Sequence, residues 1–156
     1  MEEVAGIHAR EVPFLDRYVQ FGVASGRVIH VSFPDEPDDE AESDHELLDR
    51  IEEYLDGVTE DDFADVDVAL TVPTDQRSVL ETIRSLPYGE SVTVEQVATM
   101  TASLDPESED DHALVRQALA NNPAPLLIPD HRVSDGPSAA PPAVEQRLRS
   151  VEGMRA

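Results

Sequence analysis

Asp130, His131 and Arg132 stand consecutively between Pro129 and Val133, directly after the apolar run Leu126-Leu127-Ile128, and set a carboxylate, an imidazole and a guanidinium side by side. The chemistry open to them is bounded by a residue the chain lacks, since none of its 156 residues is Cys. That excludes a thiolate nucleophile, a thiolate metal site and a disulfide framework. The histidines are His8, His30, His45, His112 and His131, and none has the spacing of a metal-binding pair, such as two His four apart with a third ligand beyond. No metal and no cofactor is expected. Gly22, Gly26 and Gly89 do not compose a phosphate-binding loop, and no Gly-Lys-Ser/Thr signature is present.

The charge is strongly one-sided: 34 acids face 11 bases, a formal net of −23, and every base is Arg. An ordinary basic nucleic-acid-binding face is thereby excluded, because such a face works by displacing counterions from phosphates. A disordered acidic tail would be poor in apolar residues, whereas 40% of this chain is hydrophobic and its apolar residues recur periodically. A folded core with a solvated, Lys-free surface is the pattern of a protein adapted to high salt, where the Debye length falls to ~3 Å and self-repulsion is screened. Half of the acids, 17 of 34, fall within residues 35–67. The amino terminus, Met1 to Gly6, has no basic segment leading into an apolar stretch, and no run approaches a membrane span. The expectation is a soluble, cytoplasmic monomer without membrane contact.

The elements that must position these groups follow from periodicity. Arg17–Val23 and Arg27–Phe33, either side of Ala24-Ser25-Gly26, predict a β-hairpin. Ser43-Asp44-His45-Glu46 has the capping-box pattern, and Leu47, Leu48, Ile51, Tyr54 and Leu55 continue it at helical spacing. Residues 63–72 alternate apolar and acidic and predict a strand; residues 34–41 predict a solvated loop. Thr74 is placed to cap a helix carrying Val79, Leu80, Ile83 and Leu86 that ends at Pro87-Tyr88-Gly89. A second capping box, Thr93-Val94-Glu95-Gln96, opens a short helix; a polar loop over 102–111 precedes a third helix over 112–121; a last helix spans about 143–151.

Leu86-Pro87-Tyr88-Gly89-Glu90, Val92-Thr93, Gln96-Val97-Ala98, Ala118-Leu119, the run from Asn121 to Pro129 and His131-Arg132-Val133 resemble, in order and spacing, the carboxy-terminal domain of the alkylguanine-DNA alkyltransferases. That family is also called methylated-DNA-protein-cysteine methyltransferase. Leu148 to Gly153 resembles its closing helix. The resemblance implies an α/β (α+β) fold: an amino-terminal ribonuclease-H-like α/β domain over residues 1–72, packed on a helical domain over 74–156 with a winged-helix-like helix-turn-helix. It also implies binding of duplex DNA through the minor groove, with a guanine alkylated on its exocyclic oxygen flipped out for repair. In the family the alkyl group passes irreversibly to a Cys between Pro and His, and that thiolate forms through the His, a water and a Glu.

By the same resemblance His131 and Glu152 match the proton-handling partners, while the acceptor position is Asp130. A carboxylate is a far poorer nucleophile towards a methyl group than a thiolate, so transfer to Cys is absent. Thr93, Val94, Arg116, Asn122 and Arg132 are the candidate DNA-side residues; Tyr88, Gly89 and Pro129 match structural positions. The family's nucleotide-rotating Tyr aligns with Val94 and its stack-filling Arg with Ala113, with Arg116 or His112 as substitutes. The usual loop after His-Arg-Val is replaced by Pro137-Ser138-Ala139-Ala140-Pro141-Pro142.

Three functions follow. The first is a family member that binds DNA, or alkylated guanine within it, without alkyl transfer and works with a repair-protein partner. The second is a turnover dealkylase in which an ester on Asp130 is cleaved by water activated by His131. The third is a protein-interaction module that has lost DNA binding and uses its acidic face. His131 and Arg132 also have a purely architectural reading, tying their loop down.

Overall fold

The computed structural model describes residues 6–154; Met1 to Ala5, on which the expectation of no leader segment rests, and the last two residues lie outside them. Three antiparallel strands come first: β1 (Gly6–Val12), β2 (Arg17–Ala24) and β3 (Arg27–Ser32), in the order β1-β2-β3. The hairpin of β2 and β3 is the predicted one. Val19 and Phe21 face inward from β2, and Val28 and Val31 from β3. Ser25 and Gly26, at φ 54° and 76°, make the two-residue positive-φ turn that suits the twist of paired strands. β1 escaped the sequence reading because only Ala9 and Val12 are buried along it, too few to show alternation.

Five α-helices follow: α1 (Glu46–Leu55), α2 (Thr74–Arg84), α3 (Val94–Met100), α4 (Glu109–Ala120) and α5 (Pro142–Val151). α1 buries Leu47, Leu48, Ile51, Tyr54 and Leu55 as its spacing requires. Its cap is His45, whose Nδ1 accepts from Leu47 N at 3.0 Å, and not Ser43, whose carbonyl is bound by Arg10 instead. α2 likewise begins at Thr74 without a side-chain cap, Pro73 holding the cap position. The second capping box is present as read: Gln96 N donates to Thr93 Oγ1 at 3.2 Å, and Thr93 N to Gln96 Oε1 at 2.8 Å. α4 starts three residues before the predicted 112, because Ser108 accepts from Asp111 N and draws Glu109, Asp110 and Asp111 into the first turn. Acids there complement the helix dipole.

The strand expected over 63–72 is not formed. Val66, Val68, Leu70 and Val72 do pack against the core, which is the source of the alternation. Their backbone pairs only at Val68, through Val28 N to Asp67 O at 2.9 Å and Ala69 N to Val28 O at 2.8 Å. Other carbonyls of the segment are taken by guanidiniums: Phe63 O and Val66 O by Arg84, and Leu70 O by Arg77. Side-chain donors thus satisfy the segment where a ladder would have done so. Among the described residues no helix is long and apolar enough to cross a membrane.

Buried apolar side chains form one continuous cluster from Val12, Val19 and Phe21 through α1 and α2 to Val144 and Leu148. The sheet also grips the segment that follows α4, with Val31 N donating to Pro123 O at 2.9 Å. The Asp130–Arg132 segment is a single 3-10 turn lodged in this interior.

Candidate functional site

The site is built from the two ends of one loop and the end of one helix. α4 stops at Asn121, and Asn122 then braces the loop that leaves it: its Oδ1 accepts from Ala124 N at 3.0 Å, and its Nδ2 donates to Ile128 O at 3.0 Å. Pro123, Pro125 and Pro129 limit the backbone between, and Leu126 is held at φ 83° with its side chain buried. The loop therefore delivers Asp130 and His131 from a stiff frame.

α5 supplies the second half. It ends in a left-handed Gly153 at φ 80°, with Gly153 N donating to Ser150 O at 3.1 Å and Met154 N to Arg149 O at 2.8 Å. This glycine stop leaves Glu152 at the helix cap with its carboxylate turned inward, 7% exposed. Oε1 accepts from Arg132 Nε at 2.8 Å and Gly89 N at 2.9 Å. Oε2 accepts from His131 Nε2 at 2.7 Å, Arg132 Nη2 at 2.9 Å and the hydroxyl of Tyr54. Burial alone works to raise the Glu152 pKa, but the hydrogen bonds from His131 and Arg132 bring it down to about 2. Burial, and then the nearby Glu152 charge, push the Tyr54 hydroxyl upward in pKa.

With Glu152 ionised, His131 Nε2 must carry a proton. Its Nδ1 is buried and finds no protein partner. Arg132 also donates to Leu86 O at 2.6 Å and lies over the Tyr88 ring at 5.7 Å, while Tyr88 Oη donates to Val151 O at 3.2 Å. Gly89 sits at φ 78°, a conformation that L side chains rarely adopt, and this lets its N–H reach Glu152. The expected partners His131, Arg132, Glu152, Tyr88 and Gly89 are thus brought together.

Asp130 lies outside this hub and is fully buried, at 0% exposure. Its Oδ1 accepts from Ser138 Oγ at 2.6 Å; its Oδ2 accepts from Ala139 N at 2.9 Å and Asn122 Nδ2 at 3.0 Å. Burial pushes the Asp130 carboxyl up in pKa, and the Ser138, Ala139 and Asn122 hydrogen bonds partly oppose it. Two sequence departures, an Asp after Pro129 and the Pro137–Pro142 loop, are therefore two sides of one contact.

The remaining expected positions separate. Thr93 is spent on capping α3; Val94 is buried at 1% exposure, its N–H donating to Asp135 Oδ1 at 2.7 Å. Asn122 and Arg132 are buried too, so with Val94 they face the interior and not a groove. Arg116 and Ala113 are exposed on α4, whereas His112 Nε2 is bound to Pro106 O at 2.6 Å. Sequence reasoning missed Tyr54, Ser138 and Arg149. Arg149 Nε donates to His131 O at 2.9 Å and its Nη2 to Val133 O at 3.1 Å, fastening the 3-10 turn to α5. Only Tyr54 had a signal, an apolar helical position carrying a polar tip that needs a partner.

Residues 74–145 match the family model described as 6-O-methylguanine DNA methyltransferase, DNA binding domain. The chain is 35% identical over 119 residues to a methylated-DNA–protein-cysteine methyltransferase of Methanothermobacter thermautotrophicus, covering 69% of this chain and 60% of that protein. It is 34% identical over 110 residues to the protein of the same name from Methanopyrus kandleri, covering 69% of this chain and 78% of that one. The fold is similar to that of Mycobacterium tuberculosis O6-methylguanine methyltransferase, with a TM-score of 0.75 at 16% identity over 98% of this chain and 95% of that one. It is also similar to Mycobacterium tuberculosis OGT in complex with DNA, with a TM-score of 0.73 at 17% identity over 94% and 92% of the two chains.

Proposed function

Because the chain belongs to the methylated-DNA–protein-cysteine methyltransferase family, we propose that it binds duplex DNA, or alkylated guanine within it, in DNA repair without transferring the alkyl group to itself. The observation that carries this reading is the state of Asp130. A nucleophile needs an accessible lone pair, and here a fully buried carboxylate has both oxygens engaged by Ser138, Ala139 and Asn122. The chain holds no Cys to substitute. The same geometry weighs against an ester on Asp130, and so against a turnover dealkylase.

DNA binding is supported by the matched DNA-binding domain and by a similar fold in a protein whose structure is a complex with DNA. In this reading residues 74–156 form the DNA-binding domain and residues 1–72 its α/β support. α3 and α4 act as the helix-turn-helix, although Thr101–Ser108 between them is longer than the roughly three-to-four-residue turn of that motif. Arg116 is its exposed base. His131, Arg132 and Glu152, with Tyr88, Gly89 and Pro129, are then architectural: they hold the loop leaving α4 against α5. The acids at the start of α4 oppose a phosphate backbone at low salt, and binding rests on shape and hydrogen bonding in the high-salt solvent that the composition suits.

The test is fluorescence anisotropy with plain and O6-methylguanine duplexes in molar potassium chloride. Saturable binding to either duplex is expected. Failure on both, by protein shown to be folded under the same conditions, overturns the proposal and leaves the protein-interaction reading.

A further inference from the structure

β1 has a neighbour on each side. β2 pairs along one edge; along the other the chain returns from its acidic loop, with Glu42 N donating to Ile7 O at 3.0 Å and Ala9 N donating to Glu42 O at 2.9 Å. This parallel bridge fixes Glu42 beside His8. The next carbonyl, of Ser43, accepts from Arg10 Nε at 3.2 Å, and Asp44 one residue further brings its carboxylate to the same point. A ring nitrogen of His8 and a carboxylate oxygen from each of Glu42 and Asp44 all lie within 4.8 Å of one another.

Three features of this group suit it to a cation. The His8 ring is held against Phe21 at 5.5 Å and edge-on to His45 at 4.5 Å between centroids, so its orientation is set by packing. Its Nδ1 is closed to solvent and has no hydrogen-bond partner. The two carboxylates lack a counter-charge: among the described residues no ion pair includes either, and Arg10 gives its guanidinium to Asp49, Glu52 and the Ser43 carbonyl. With metal–ligand bonds of about 2.0–2.2 Å, donors around one ion stand about 3–4.4 Å apart, within reach of side-chain rotation from the observed spacing. An imidazole beside two carboxylates favours first-row transition ions over Mg2+, Ca2+ or the alkali cations.

We infer that His8, Glu42 and Asp44 form a binding site for a divalent transition cation of the zinc or manganese class, tying β1 to the segment that enters α1. Glu42 and Asp44 are exposed, which leaves the remaining coordination positions to water. The site is remote in sequence from Asp130 and stands whether or not the chain binds DNA.

To test it, the full chain is stripped with a chelator and titrated calorimetrically in molar potassium chloride with ZnCl2, MnCl2 and, in parallel, MgCl2. Binding of one Zn2+ or Mn2+ per chain is expected, with a rise in Tm and with the His8 imidazole signals shifted by Zn2+ or broadened by Mn2+. The E42Q/D44N double variant, whose two side chains make no hydrogen bond in the described structure, should keep its circular dichroism and bind about tenfold or more weakly. H8Q should weaken binding similarly. The inference is overturned by no saturable binding at millimolar Zn2+ or Mn2+, by Mg2+ binding as tightly as Mn2+, or by affinity unchanged in E42Q/D44N.

Discussion

If Asp130 is a clasp and not a nucleophile, its replacement by Ala must be felt in stability, and its replacement by Asn must not. Asp130→Ala removes the acceptor for Ser138 Oγ, Ala139 N and Asn122 Nδ2. The Ser138 hydroxyl can turn to water and the Asn122 amide keeps Ile128 O, but the Ala139 N–H and one amide proton lose their partner. At about 1–3 kcal/mol for each buried donor left unmade, the two together cost about 2–6 kcal/mol, a large share of the ~5–15 kcal/mol that holds a domain together. Asp130→Asn can place its oxygen where Oδ2 accepts two bonds and its amide where Ser138 Oγ can accept, so a change within about 1 kcal/mol is expected. The pH dependence adds a signature. Burial raises the Asp130 pKa, so the native state keeps that proton to higher pH than the unfolded chain does. Stability from this group is fullest below the ordinary carboxylate pKa and is lost as pH rises through the raised value; Asp130→Asn removes that slope. Urea unfolding in molar potassium chloride, followed by circular dichroism between weakly acidic and neutral pH, reads both effects without altering the salt. Wild-type stability in Asp130→Ala, or equal damage from Asn and Ala, would refute the clasp.

Glu152 should show the opposite sign. Its carboxyl is held at about 2 against an ordinary 4.5, so its contribution is full above the ordinary value and is lost as pH falls towards the lower one. Glu152→Gln leaves the buried Arg132 guanidinium without a counter-charge and should cost about 3–5 kcal/mol at neutral pH, with the acid-side slope of the unfolding curve reduced. Thr93→Ala, which breaks the reciprocal cap of α3, should cost about 1 kcal/mol by the same urea assay. Arg116→Ala should weaken binding to all duplexes alike and lower the slope of log affinity against log salt by about one, as loss of one phosphate contact requires.

The hairpin, α1 and α3 were legible because each carries a strong local signal: alternation around a positive-φ turn, five apolar residues at helical spacing, and a reciprocal Thr-Gln cap. The strand expected over 63–72 shows where local signals end. Its alternation reports which side chains are buried, but Arg77 and Arg84, distant in sequence, decide where its carbonyls bond. The site divides in the same way. His131 and Glu152 were found through a family pattern, whereas the contact of Ser138 with Asp130 arises from a loop that departs from it. His8, Glu42 and Asp44 had no readable spacing, because a bridge on the outer edge of β1 joins segments that no local pattern relates.

On the proposed function, this chain engages DNA without taking up the alkyl group. Its most direct test is the intact mass of the protein after incubation with excess O6-methylguanine duplex at a concentration where anisotropy shows it bound. An unchanged protein mass, with the methyl group still on the guanine and no methanol released, is the predicted result. A mass increase of one methyl group on the peptide containing Asp130, or methanol released with turnover and abolished in Asp130→Ala, would contradict it.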